Sequence, residues 1–157
     1  MSKRNHFNSR DIEIITNFVR TIDEDIEIFK GSSFCVDIEQ EEIFLGNKRY
    51  DRVSKMFMNW LNTKINTRID NWLAISILHE VGHIMTDTDD SRQQRQELDS
   101  IYSYLYETGI IESEEEYFTK YFEIPAEYEA TMWGVSYYLD HKKQCDDMVK
   151  MIGSGIY

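Results

Sequence analysis

The segment Asn71 to Met85, NWLAISILHEVGHIM, is apolar almost all the way round. A helix of that character has no face to offer water, so it must run through the centre of the molecule with other elements packed on every side. Inside it stand His79, Glu80 and His83 in the spacing H-E-x-x-H. Interior polar groups are costly unless something satisfies them. Residues four apart on a helix share a face, with Cβ atoms about 5–6 Å apart, so both imidazoles can reach one metal ion through bonds of about 2.0–2.1 Å. Glu80 points about 100° away from His79 yet borders the same ion, where it can take a proton from metal-bound water. The pattern predicts a Zn²⁺ site with His79 and His83 as ligands and Glu80 as general base.

Catalytic zinc usually takes three protein ligands and leaves the fourth position to water. The candidates for the third are Asp87, Asp89, Asp90, Glu123, Glu127, Glu129 and His141. Helical geometry favours Glu127. Pro125 suits the first turn of a helix running to about Asp140. On it Glu127, Ala130, Thr131 and Gly134 fall at i, i+3, i+4 and i+7, and the other members of that face are small. Such a face can approach the histidine helix closely enough to deliver a carboxylate. Glu129 faces elsewhere and Glu123 precedes the helix. The competing assignment, H-E-x-x-H-x-x-G-x-x-H, would put the third ligand at Asp89. It meets Thr86 where the motif needs Gly for its turn, and Asp89 lies in an acidic stretch that reads as solvated.

HEVGH followed 44 residues later by Glu127-Tyr128-Glu129-Ala130 resembles the gluzincin pattern H-E-x-x-H … E-x-x-A. The short chain and the strand-like stretch before the motif are similar to the minimal ImmA/IrrE-like peptidases common in phages and mobile elements. The resemblance covers mainly Asn71 to Gly134. It implies a zinc endopeptidase that cuts a protein or peptide substrate such as a regulatory protein, with an extended substrate lying along an edge strand. The chain departs from that pattern at Thr131, where many gluzincins carry Asp or Asn as partner to a ligand histidine. Thr131, the small size and the acidic surface also fit a second hypothesis, a zinc-bearing binding or inhibitor protein without peptidase activity. A zinc hydrolase acting on a non-peptide amide is a third. Donors for a developing oxyanion are Tyr128, Tyr137, Tyr138 and His141, although ten tyrosines in the chain make core or rim roles the ordinary explanation for each.

The rest of the chain supplies a scaffold. Ile12, Ile15, Phe18, Val19 and Ile22 recur at helical spacing from Asp11. Between Asp25 and Gly46, Phe34, Val36 and Ile38 alternate with polar residues, and Ile43 and Leu45 alternate after an acidic turn, which predicts a small antiparallel sheet. Asp51 to Ile65 returns to helical spacing, and Asp70 is a candidate N-cap for the apolar segment. TDTDDS reads as a polar loop, Leu98 to Tyr106 as a helix closed by Gly109, Ser113 to Phe122 as a short capped helix and Cys145 to Ile152 as a last one. The fold class expected is α+β, a mainly helical zincin-like domain spanning residues 1–157 with a small sheet before the central helix. His6 and His141 default to the surface, and Trp60, Trp72 and Trp133 to packing.

With 157 residues and 41% apolar content the chain can bury one core. Seventeen basic against 29 acidic residues give a net charge of −12, which repels phosphate backbones and anionic lipid, so neither nucleic acid nor a membrane is an expected partner. Cys35 and Cys145 lie far apart and read as reduced cytosolic thiols. The basic stretch Met1 to Arg10 has no apolar segment behind it, so neither a signal peptide nor a membrane span is expected, and the compartment implied is the cytoplasm.

Overall fold

The computed structural model describes residues 6–153, so half of the basic stretch Met1 to Arg10 lies outside the described residues. The order of elements is α1 (Ser9–Arg20), β1 (Glu27–Lys30), β2 (Cys35–Asp37), β3 (Glu42–Leu45), α2 (Arg52–Lys64), α3 (Trp72–Thr86), α4 (Asp89–Glu107), α5 (Glu114–Phe122), α6 (Pro125–Asp140) and α7 (Lys142–Ile152). The expected mainly helical α+β architecture is what the chain adopts.

The sheet differs from expectation in having β1 as a third strand and in its strand directions. It is mixed, in the order β1-β3-β2, with β3 antiparallel to β2 and parallel to β1. Two chain reversals separate β1 from β3 and return the backbone to its first direction. Because β3 then enters between its predecessors, it meets β2 head to tail and β1 in the same sense. β1 is hard to see in the sequence because only Ile28 of its four residues is buried. Ile43 and Leu45 of the central strand are wholly buried. β2 is an outer strand of the sheet and packs near α3.

Three helix starts also differ. The cap of α3 is Asn71, whose side chain accepts from the N–H of Ala74 at 3.2 Å, while Asp70 turns to Arg68 at 2.9 Å. The TDTDDS stretch is mostly helix, not loop. Thr88 and Ser91 cap each other reciprocally at 3.1 and 3.2 Å, and Asp89 and Asp90 occupy the first turn, where the helix dipole favours negative charge. The last helix starts at Lys142, three residues before the apolar pattern becomes visible. Elsewhere the predicted signals hold: Ser113 caps α5 and Gly109 takes φ +82° just after α4, while the predicted helix from Asp51 begins with that residue as its cap.

α3 is the axis of the core. Trp72, Leu73, Ile75, Ile77, Leu78 and Val81 are buried to within 1%. Its principal partner is α6, antiparallel to it, since Gly82 meets Ala130 and Leu78 meets Gly134. A Cβ on Gly82 would sit 2.3 Å from the carbonyl oxygen of Ala130, and one on Gly134 would sit 3.2 Å from Leu78. The small residues at these positions therefore set how near the two helices come. Among the described residues no helix is long and apolar enough to cross a membrane, and Cys35 and Cys145 are both free.

Candidate metal centre

The face Glu127, Ala130, Thr131 and Gly134 is buried in α6 and lies against the HExxH turn of α3. This close approach carries Glu127 to both imidazoles. His79 Nε2 is 3.1 Å from Glu127 Oε1, and His83 Nε2 is 3.0 Å from Oε2. The two rings stand 4.7 Å apart and nearly perpendicular, so their Nε2 atoms converge on one region. Ligand atoms of all three residues lie within 4.8 Å of one another, a group able to hold a metal ion. Donors bound tetrahedrally to one zinc ion at about 2.0–2.2 Å lie about 3.4 Å apart, so this set accommodates such an ion after small movements.

Ring orientation is held from behind. His79 Nδ1 lies 2.8 Å from Thr131 Oγ1, whose hydroxyl is placed to donate to the Glu127 carbonyl oxygen at 2.9 Å. A hydroxyl committed as donor to that carbonyl accepts from Nδ1–H, so Nε2 is the ring nitrogen turned to Glu127: as imidazolium it donates to that carboxylate, and once deprotonated it offers a lone pair. Thr131 thus fills the partner position that the sequence left open. Phe57 packs edge-on against the same ring at 5.9 Å.

Glu80 is buried with 7% of its surface exposed and lines the cleft beside the three. Burial pushes its carboxyl above the ordinary range, and the neighbouring histidines only partly offset this. For Glu127, burial acts upward too, but hydrogen bonds with His79 and His83 outweigh it and hold the carboxyl well below the usual range. Glu127 is thereby favoured as the anion, while burial makes Glu80 the more basic of the two carboxylates.

No family model, curated protein or solved structure matches the chain.

The remaining sequence candidates are elsewhere. Asp87 pairs with Arg92, Asp89 is 97% exposed, Glu129 and Asp90 are exposed, and Glu123 takes Trp60 Nε1 at 3.3 Å and Lys64 at 2.6 Å. His141 stacks on Tyr137, Tyr138 donates to Asp146, and Tyr128 lies edge-on to Trp60. None of these reaches the centre. Two residues that sequence reasoning passed over do: Arg95 of α4 donates from Nε to Glu127 Oε2 at 2.7 Å, and Tyr121 of α5 lines the cleft 3.5 Å from Arg95 Nη2. The pairing of Arg95 with an acid 32 residues further on has no local signature.

The cleft has two unlike halves. One, of about 190 Å³, is walled by Phe34, Val53, Phe57, Phe118 and Phe122 beside His79 and Glu80. The other, of about 120 Å³, is formed by Cys35, Val36, Ile38, His83, Arg95 and Tyr121. Residues of the outer strand β2 thus border the candidate centre directly.

Proposed function

We propose that the protein is a zinc-dependent endopeptidase of the gluzincin type, hydrolysing a peptide bond in a protein or peptide substrate. The observation that carries this reading is the meeting of His79, His83 and Glu127 from two helices, with Glu80 one residue from a ligand and open to the same cleft. Two imidazoles and a carboxylate form the donor set that suits zinc while leaving a position free. Bound there, zinc would polarise a carbonyl and lower the pKa of a coordinated water toward 7.

The work of the chain's own groups follows from their placement. Thr131 keeps His79 in the tautomer that offers Nε2. Glu80, its basicity raised by burial, accepts a proton from water and passes it to the leaving amine. β2, an outer strand at the cleft, offers backbone groups along which an extended peptide can lie, and the apolar half receives a side chain. A net charge of −12 disfavours polyanionic substrates.

The test is metal analysis with a cleavage assay on unfolded protein and peptide mixtures, for the parent, Glu80→Gln, His79→Ala and Glu127→Ala. Near one equivalent of zinc is expected in the parent and in Glu80→Gln and much less in the other two, with cleavage by Glu80→Gln lower by roughly 10²–10⁴-fold. Equal cleavage by parent and Glu80→Gln overturns the catalytic role. A parent that binds zinc and cleaves nothing would favour the zinc-bearing inhibitor hypothesis, in which Glu80 has no function.

A further inference from the structure

Arg95 reaches Glu127 from α4, a helix without a single buried residue. Its inward course is therefore not a by-product of packing that helix into the core. Nε lies 2.7 Å from Glu127 Oε2, and Nη2 lies 3.5 Å from the Tyr121 hydroxyl. The Glu127 side chain is 3% exposed and that of Arg95 33%, so the guanidinium enters from the cleft side onto a buried carboxylate.

The two carboxylate oxygens are consequently unequal. Oε2 has Arg95 Nε at 2.7 Å and His83 Nε2 at 3.0 Å, whereas Oε1 has His79 Nε2 at 3.1 Å. A charge-assisted hydrogen bond from a guanidinium is strong and directional, and an oxygen engaged in one has less electron density to give a cation. A fixed positive charge next to a divalent ion also repels it. A site shaped for affinity alone would leave such a charge out. Its presence is explained if orientation of the ligand matters more, as it does for groups hydrogen-bonded to metal ligands.

We propose that Arg95 is the positioning residue of this centre: its guanidinium holds Oε2 of Glu127 and makes Oε1 the oxygen that the carboxylate offers to the ion. The proposal rests on the metal-site reading above. Without Arg95 both oxygens are free to bind, which raises the coordination number and weakens the electrophile.

Cobalt(II) reports this directly, because its visible absorption is intense at low coordination number and weak at high. The full chain would be loaded with Co²⁺ as the parent and as Arg95→Met, Arg95→Gln, Arg92→Met and His79→Ala, with circular dichroism verifying the fold of each. The parent should give an intense band that His79→Ala lacks. Both Arg95 variants should show loss of intensity and a shift of the band. Arg92→Met removes another α4 arginine, one paired with Asp87, and should keep the parental spectrum. Parental spectra from both Arg95 variants would overturn the proposal and leave the metal site standing, and so would a shift in Arg92→Met equal to theirs. Absence of a His79-dependent band in the parent would remove the metal-site reading and the proposal together.

Discussion

Thr131 and His79 are joined across two helices by a 2.8 Å contact between Oγ1 and Nδ1, with the same hydroxyl turned toward the Glu127 carbonyl oxygen at 2.9 Å. One side chain thus fixes the tautomer of one candidate ligand and ties it to the backbone of another. Replacing Thr131 by Val keeps the shape and removes the partner. Zinc affinity, measured by competition with a chromophoric chelator, should fall roughly 10–100-fold, the usual cost of losing such a partner. Thr131→Ser should retain most of it. Equal affinity in parent and Thr131→Val would show that the hydroxyl does not orient the ring.

Gly82 gives a second, purely steric prediction. The clash of an added Cβ would be with the Ala130 carbonyl, backbone that cannot swing aside. Gly82→Ala must push α6 away from α3, at a cost of about 1–3 kcal/mol or more. Urea unfolding should record the loss, and because the same displacement draws Glu127 from the histidines, metal uptake should weaken with it. An unchanged unfolding midpoint would contradict the close approach.

The acid limb of stability should depend on Asp146. Burial raises this carboxyl, but Lys142, Asn71 and Tyr138 outweigh that and hold it below the ordinary range. They donate at 2.9, 2.8 and 2.7 Å. A native pKa below the unfolded one, about 3.9, means the folded protein binds fewer protons. The contribution is therefore complete above the unfolded value and is lost as pH falls through the native value. Asp146→Asn should flatten the fall of melting temperature with acidification, and parallel curves for the two proteins would exclude the role.

The aromatic half of the cleft should select bulky apolar side chains next to the cut bond. Val53 lines it while 39% exposed, so a charge there need not disturb the core. Val53→Lys should raise KM for such peptides with little change in zinc content. Cut sites mapped by mass spectrometry without enrichment in Leu, Phe or Met would refute the selectivity.

The central helix, the H-E-x-x-H spacing and the small-residue face of α6 were legible because each is a periodic local pattern, and periodicity survives without knowledge of neighbours. The meeting of Glu127 with the two imidazoles was legible for the same reason: its companions Ala130, Thr131 and Gly134 announce a close helix contact. Cap positions were legible only within a residue or so, as Asn71 in place of Asp70 shows, since adjacent residues compete for one backbone amide.

What tertiary structure alone decided is the set of relationships between distant segments. β1 pairs parallel to β3 because the latter inserts between two earlier strands, a matter of spatial order that alternation does not encode. Thr131 reaches the imidazole, Arg95 reaches Glu127 and Tyr121 reaches Arg95, because helices far apart in the chain pack together there. By itself the sequence determined which side chains are forced inward and which can chelate. Which polar groups meet them there depends on distances across the core, and those exist only once the chain is packed.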